Sequence, residues 1–348
     1  MMGIRFSALL VAFLASIPYL LDLATRREYP VPPPEGAVVV TGASTGIGAH
    51  AAHSLARAGF LVFAGVRKEL DGETLKAEAP TLESQENIVP IILDVTKQEQ
   101  IDKAVQTVSS TLDSLGGRPL VGLVNNAGVG GSNKPVEFQS MDDLRWLFDV
   151  NFFGAIATTK AFLALLRASK GRVINISSLA GLTVAPFMTD YCASKWALEA
   201  FSDALRVEMG ELGVSVSVVE PAYVTSAIFG KIATRVKETA DSVSEKVGMW
   251  LWRSSPFPSA CPLRLTLNSH TPRRHRILQV MEVYGHLVQN PTYTRRCIEK
   301  ASPPTVTSDA ILHALTAKHP QTRYVVANVD GKYRFIFSWA DTDTRGGL

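Results

Sequence analysis

Residues 37–48 read AVVVTGASTGIG, and residues 49–59 continue AHAAHSLARAG. Four apolar residues in a row make a short strand buried on both faces. The glycines that follow, Gly42, Gly46 and Gly48, permit a tight turn and a close approach of backbone to a ligand. The next residues repeat at helical spacing. A strand, a glycine turn and a helix N-terminus in that order form a site for the phosphates of a dinucleotide, because the first amides of the helix and its dipole favour negative charge. The glycine spacing is GxxxGxG, with Ser44, Thr45 and Ile47 in the turn.

Outward from this unit the same rhythm continues. Residues 61–65 (LVFAG), 89–93 (VPIIL), 120–124, 172–177, 214–219 and 323–327 are short apolar runs separated by helical-length segments. With residues 37–41 they give about seven parallel strands, the pattern of an α/β doubly wound sheet with helices on both faces and ligands at the carboxyl ends of its strands.

The second decisive stretch is GRVINISSLAGLTVAPFMTDYCASKWALEAF, residues 171–201. Tyr191 and Lys195 are four residues apart on a helix predicted from Tyr191 to about Leu212, so they share one face. A tyrosine works as a general acid or base near neutrality only if its phenolate is stabilised, and a nearby ammonium is expected to lower its pKa. Ser178 ends the strand that precedes this helix. Read alone, Asp94, in LDV, can cap the helix that follows.

TGASTGIG, then LDV, then NNAG at residues 125–128, resembles the short-chain dehydrogenase/reductase family from about residue 37 to 228 and again from 281 to 328. The resemblance implies a Rossmann-like fold and hydride transfer between nicotinamide and a carbonyl or alcohol. It implies a catalytic tetrad of Asn151, Ser178, Tyr191 and Lys195, with Asn151 in a distorted helix that holds a water. It places the dinucleotide on Gly42, Ser44, Thr45, Gly46, Ile47, Gly48, Arg67, Asp94, Val95, Asn125, Ala127, Gly128, Tyr191, Lys195, Pro221 and Thr225. VFAGVRK, DYCASKWALEAFSDALRVEM, the Glu220–Pro221 turn and HPQTRYVV resemble the 17β-hydroxysteroid and retinol dehydrogenase branch. That implies a small hydrophobic alcohol or carbonyl substrate (a steroid, a retinoid or another lipid) and attachment to the endoplasmic reticulum. The second strand ends without an acid and is followed by Arg67 and Lys68, which favours NADP(H) over NAD(H). A homodimer is expected through helices around residues 141–168 and 191–212, the second carrying Trp196, Leu198, Phe201 and Leu205 on a broad apolar face.

The chain has 348 residues, 46% hydrophobic and 19% charged, which excludes disorder. Its three cysteines are scattered, and its histidines fall into no metal-protease pattern, so no metal is expected. The net charge of +3 rests on residues 246–281, which hold six Lys/Arg and no acid, so no nucleic-acid partner follows. Residues 6–21 are uncharged, and residues 6–23 read as a membrane anchor, a cleaved signal or, least well, a core helix. YPVPPPEG at residues 29–36 is a stiff linker. The domains predicted are an anchor or signal segment with its linker over 1–35, one catalytic domain over 36–330 and a tail over 331–348. Residues 248–276, rich in proline, serine and arginine, fit no element and form an atypical insertion where the resembled family carries its substrate lid. The alternative function is therefore a catalytically impaired dinucleotide-binding regulatory protein.

Overall fold

The structure, a computed structural model, describes residues 27–134, 136, 139–184, 187–224, 301–329 and 332–337. Its strands are β1 (Ala37–Val40), β2 (Leu61–Val66), β3 (Ile88–Ile92), β4 (Leu120–Asn125), β5 (Arg172–Ile176), β6 (Ser215–Pro221), β7 (Arg323–Val329) and β8 (Lys332–Phe337). They form one sheet in the order β3-β2-β1-β4-β5-β6-β7-β8. The first seven run parallel, as the apolar runs predict. The eighth pairs antiparallel with β7 and comes from residues that the sequence reading gives to the C-terminal tail. Its signal is Asp330–Gly331 between two alternating segments, a hairpin pair by its chemistry.

The helices are α1 (Gly46–Arg57), α2 (Glu69–Ala77), α3 (Leu82–Glu86), α4 (Gln98–Ser114), α5 (Met141–Phe148), α6 (Gly154–Ser169), α7 (Thr189–Gly210) and α8 (Pro304–Thr316). They cover both faces of the sheet. Side chains alternate across a strand, so Val38 and Val40 pack with α1 and α8, while Ala37 and Val39 pack with α4, α6 and α7. All four β1 residues are fully buried. This double coverage is why β1 reads as an unbroken apolar run rather than an alternating one.

The strand order reverses direction between β1 and β4, which places the crevice for a ligand at their carboxyl ends. A π-helical turn, Asp149–Phe153, joins α5 to α6. The combined run Met141–Ser169 is long and apolar enough to cross a membrane, yet Phe162 and Leu166 on it are fully buried against the sheet. The candidate anchor at residues 6–23 and the insertion at 248–276 lie outside the described residues. On α7 the expected apolar face divides: Leu198 and Leu205 are buried in the core, whereas Trp196 is 48% exposed.

Candidate active site

The glycine turn is built as its residue types demand. Gly42 and Gly46 both sit at φ +63°, in the left-handed region that favours glycine. A Cβ at Gly48 would collide with the Gly42 carbonyl oxygen and with Asn126 Nδ2. The N-cap Thr45 makes no side-chain cap, and the first turn of α1 has no acid, so its leading amides remain available to an anionic group. Ser44 and Ile47 are half-buried and Thr45 is exposed. The Ala43 N–H donates to Gly65 O at 2.9 Å and locks the turn to the end of β2. This cradle can take a pyrophosphate.

The NNAG segment braces the turn from β4. Asn126 Nδ2 donates to Thr41 O (2.9 Å) and Gly42 O (3.0 Å), and the N–H groups of Asn126 and Ala127 donate to Thr41 Oγ1, both at 3.0 Å. A Cβ at Gly42 would lie 2.8 Å from Ala127 Cα, so Ala127 is packed directly on the turn. Asn125 is buried, and its amide donates to Thr159 Oγ1 and Asn175 Oδ1, both at 2.8 Å, so its side chain steadies the sheet interior. Asn126 and Thr41 were outside the sequence-predicted set; a hydroxyl at the end of β1 opposite a second amide in NN was the signal for them.

Arg67 is exposed immediately after β2, whose last residue, Val66, is buried. Asp94 Oδ1 accepts from Thr96 N–H (3.0 Å) and Thr96 Oγ1 (2.7 Å), so it closes the turn ahead of α4, while Lys97 stands at the N-cap. The Val95 side chain is buried and packed on Gly154 of α6. Thr225 lies outside the described residues.

The four remaining residues converge from β5, α7 and the π-helical turn. Asn151 is 1% exposed in that turn. Its Oδ1 accepts from Val129 N–H at 2.8 Å, and its Nδ2 donates to Val129 O at 3.0 Å and to Ser194 Oγ at 3.2 Å. Ser194 Oγ in turn donates to Tyr191 O at 2.8 Å, so Asn151 fixes both the β4 loop and the first turn of α7. Asp190, also unpredicted, accepts from Ser132 N–H at 2.7 Å and ties the same loop to α7. Ser178 accepts from Ala180 N–H at 3.2 Å and donates to Pro221 O at 3.4 Å. Gly128 sits beside both Asn151 and Lys195: a Cβ there would lie 3.4 Å from Asn151 Oδ1 and 3.8 Å from Lys195 Nζ.

Lys195 Nζ donates to Ile176 O at 2.8 Å and stands 5.8 Å from the Tyr191 ring centroid. Burial lowers the Lys195 ammonium to about 8 against the pull of Glu199. The expected depression of the Tyr191 phenol is not met by the chain's own groups. Burial pushes it up, opposed by the Ser178 hydroxyl. The expectation weighed the charge of Lys195 but not the desolvation of a hydroxyl held between β5 and α7.

A tyrosine hydroxyl, a serine at the end of β5, a buried ammonium one turn away and a glycine cradle lie at the same end of the sheet, and such groups can serve acid/base chemistry beside a bound phosphate. The sequence pattern of the short chain dehydrogenase family matches residues 36–237. Mouse mitochondrial D-beta-hydroxybutyrate dehydrogenase is 35% identical over 83% of this chain and 76% of its own length. Mouse retinol dehydrogenase 16 is 34% identical over 82% and 79%, and human 17-beta-hydroxysteroid dehydrogenase type 6 is 30% identical over 94% and 92%. Among solved structures, a short-chain dehydrogenase from Streptomyces avermitilis superposes with a TM-score of 0.58 at 25% identity, over 84% of this chain and 87% of that one. ElxO with NADP bound gives 0.51 at 25% identity, over 57% and 79%. The chain belongs to the short-chain dehydrogenase family. Within it the chain falls in the hydroxysteroid and retinol dehydrogenase branch, as an oxidoreductase acting on CH–OH groups.

Proposed function

We propose that this chain interconverts an alcohol and a carbonyl on a hydrophobic substrate, with a nicotinamide dinucleotide on the Gly42–Gly48 turn. The observation that carries the reading is the convergence of Ser178, Tyr191 and Lys195 at the carboxyl ends of β5 and β6, with Lys195 Nζ 5.8 Å from the Tyr191 ring centroid. Tyr191 takes the hydroxyl proton in oxidation and returns it in reduction. Ser178 holds the substrate oxygen beside that phenol, and Lys195 supplies the charge that stabilises phenolate. Asn151 positions the β4 loop and the start of α7 and holds the relay water that the family resemblance assigns to it. The dinucleotide, when bound, supplies the hydride acceptor or donor.

NADP(H) is the favoured cofactor. Arg67 stands exposed at the end of β2, where a planar guanidinium suits a 2′-phosphate, and a similar structure is solved with NADP. The names of the relatives divide over substrate: two name retinol or a hydroxysteroid and one a short hydroxy acid. Residues 6–23 favour the lipid side, as a segment that holds the enzyme at a membrane, that of the endoplasmic reticulum, where apolar substrates concentrate. The test is turnover of the full-length protein on steroid, retinoid and short hydroxy-acid alcohols with each dinucleotide. Turnover of a steroid or retinoid at least tenfold above 3-hydroxybutyrate is expected. Preference for the hydroxy acid would overturn the lipid assignment, and dinucleotide binding without turnover of any alcohol would favour a regulatory protein.

A further inference from the structure

The loop that follows β4 is pinned at two points. Val129 is held through its N–H and its carbonyl by the Asn151 side chain. Three residues on, Ser132 N–H donates to Asp190 Oδ2 at 2.7 Å, and Asp190 Oδ1 accepts from the N–H of Tyr191 at 2.8 Å. Asp190 is 2% exposed in the first turn of α7. An acid in a first turn complements the helix dipole, and the bland reading stops there. Burial counts against that reading, because an acid taken out of water is costly unless its oxygens are matched. Here each oxygen meets one backbone N–H, and one of those donors lies 58 residues back in the chain. A carboxylate accepts at both atoms, whereas an asparagine would turn an amide donor toward one of the two N–H groups. The fit also depends on a glycine. A Cβ on Gly131 would lie 2.5 Å from Asp190 Oδ1 and 3.0 Å from Tyr191 Cβ, so bare backbone rests on the residue that carries the phenol.

We propose that Asp190 is a positioning residue for the reaction: its two N–H bonds latch the loop at residues 129–132 to the first turn of α7 and fix where Tyr191 stands. This role rests on that of Tyr191 as the group that moves the proton. The Tyr191 backbone is then held on both sides, at its N–H by Asp190 and at its carbonyl by Ser194 Oγ. The same loop begins at Gly128, beside Lys195 Nζ, so it spans both groups that the proton chemistry uses. A displacement of about 1 Å at a reacting group can cost on the order of 10²-fold in rate, so a loosened latch is read in kcat. The glycine cradle is braced separately, by Asn126 on Thr41 and Gly42, so dinucleotide affinity is expected to hold.

Two readouts in the full-length protein test this. Amide hydrogen exchange in peptides covering residues 129–133 and 189–193 reports the latch without turnover, and Asp190→Asn is expected to speed it about tenfold. On the alcohol turned over fastest, kcat is expected to fall about tenfold or more, with the Kd for NADPH within about twofold of wild type. Gly131→Ala, which pushes the loop off Asp190 from the other side, should give the same split. The double variant should be no worse than the poorer single one, because both break one contact. Where Asp190→Asn does not fold, Gly131→Ala decides by the same readouts. Unchanged exchange, losses that multiply in the double variant, or a wild-type kcat in Asp190→Asn beside an inactive Tyr191→Phe would each overturn the latch. NADPH affinity lost in step with kcat would assign Asp190 to packing instead. Full activity in Tyr191→Phe would refute the role of Tyr191 itself, a separate failure because the latch would still show in exchange.

Discussion

Arg67 and Asp94 flank the crevice and show what single residues can disclose. Arg67 is exposed, so its bland use is as a solvated loop cation, and its position after a buried β2 is the whole argument for a 2′-phosphate. The expected outcome for Arg67→Ala is a fall of about tenfold or more in the ratio of kcat/KM for NADP to that for NAD, the scale of a lost bidentate charge pair. A ratio that does not move shows that the loop does not read the 2′ position. Asp94 was legible as either a ligand contact or a helix cap, but the N-cap of α4 is Lys97, and Asp94 closes the turn before it through Thr96. Lys195 was legible by spacing alone, but the lowering of its ammonium to about 8 was not, because the burial that causes it comes from packing against elements far away in sequence. Asp190 and Ser194 stayed hidden for the same reason. Their partners, Ser132 and Asn151, are brought near only by the fold.

Elements carried most of the readable information. Each of the seven predicted parallel strands is present, because doubly buried strands are short apolar runs between turn residues. The helix distortion at Asn151 entered only through the family resemblance; it takes the form of a π-helical turn with a Gly154 N–H to Asp149 O bond. The apolar face expected on α7 is not all open to a partner, since Leu198 and Leu205 on it are buried within the chain's own fold. The glycine turn offers an element-scale test. Gly48→Ala forces apart the Gly42 carbonyl and Asn126, both of which hold the turn, and strain of this kind costs about 1–3 kcal/mol. The Kd for NADP measured by fluorescence titration is expected to rise at least tenfold while the protein stays folded. Affinity within twofold of wild type would mean that the turn does not hold the pyrophosphate.

At the scale of the whole molecule, residues 27–36 enter as a clamped strap. Arg172, 1% exposed at the start of β5, donates to Pro30 O at 3.0 Å and to Ala314 O at 2.8 Å, and Tyr29 N–H donates to Lys318 O at 3.1 Å. The strap thus joins the domain at the amino ends of the strands, opposite the acid/base site. Met141, Trp146, Phe153 and Trp196 remain exposed on α5, the π-helical turn and α7, and two copies packed on these helices would cover them. Sedimentation of a chain starting at Arg27, which keeps the strap, should give a dimer at micromolar concentration and a monomer for Trp196→Glu; a monomeric wild type would rule out that packing. The central claim is that Tyr191 moves the proton. The most direct measurement sets kcat of Tyr191→Phe beside that of wild type on the best alcohol found, with Kd for the dinucleotide measured separately. The account predicts a loss of about 10²-fold or more in kcat with Kd nearly unchanged. Retention of more than about a tenth of the wild-type kcat would contradict it.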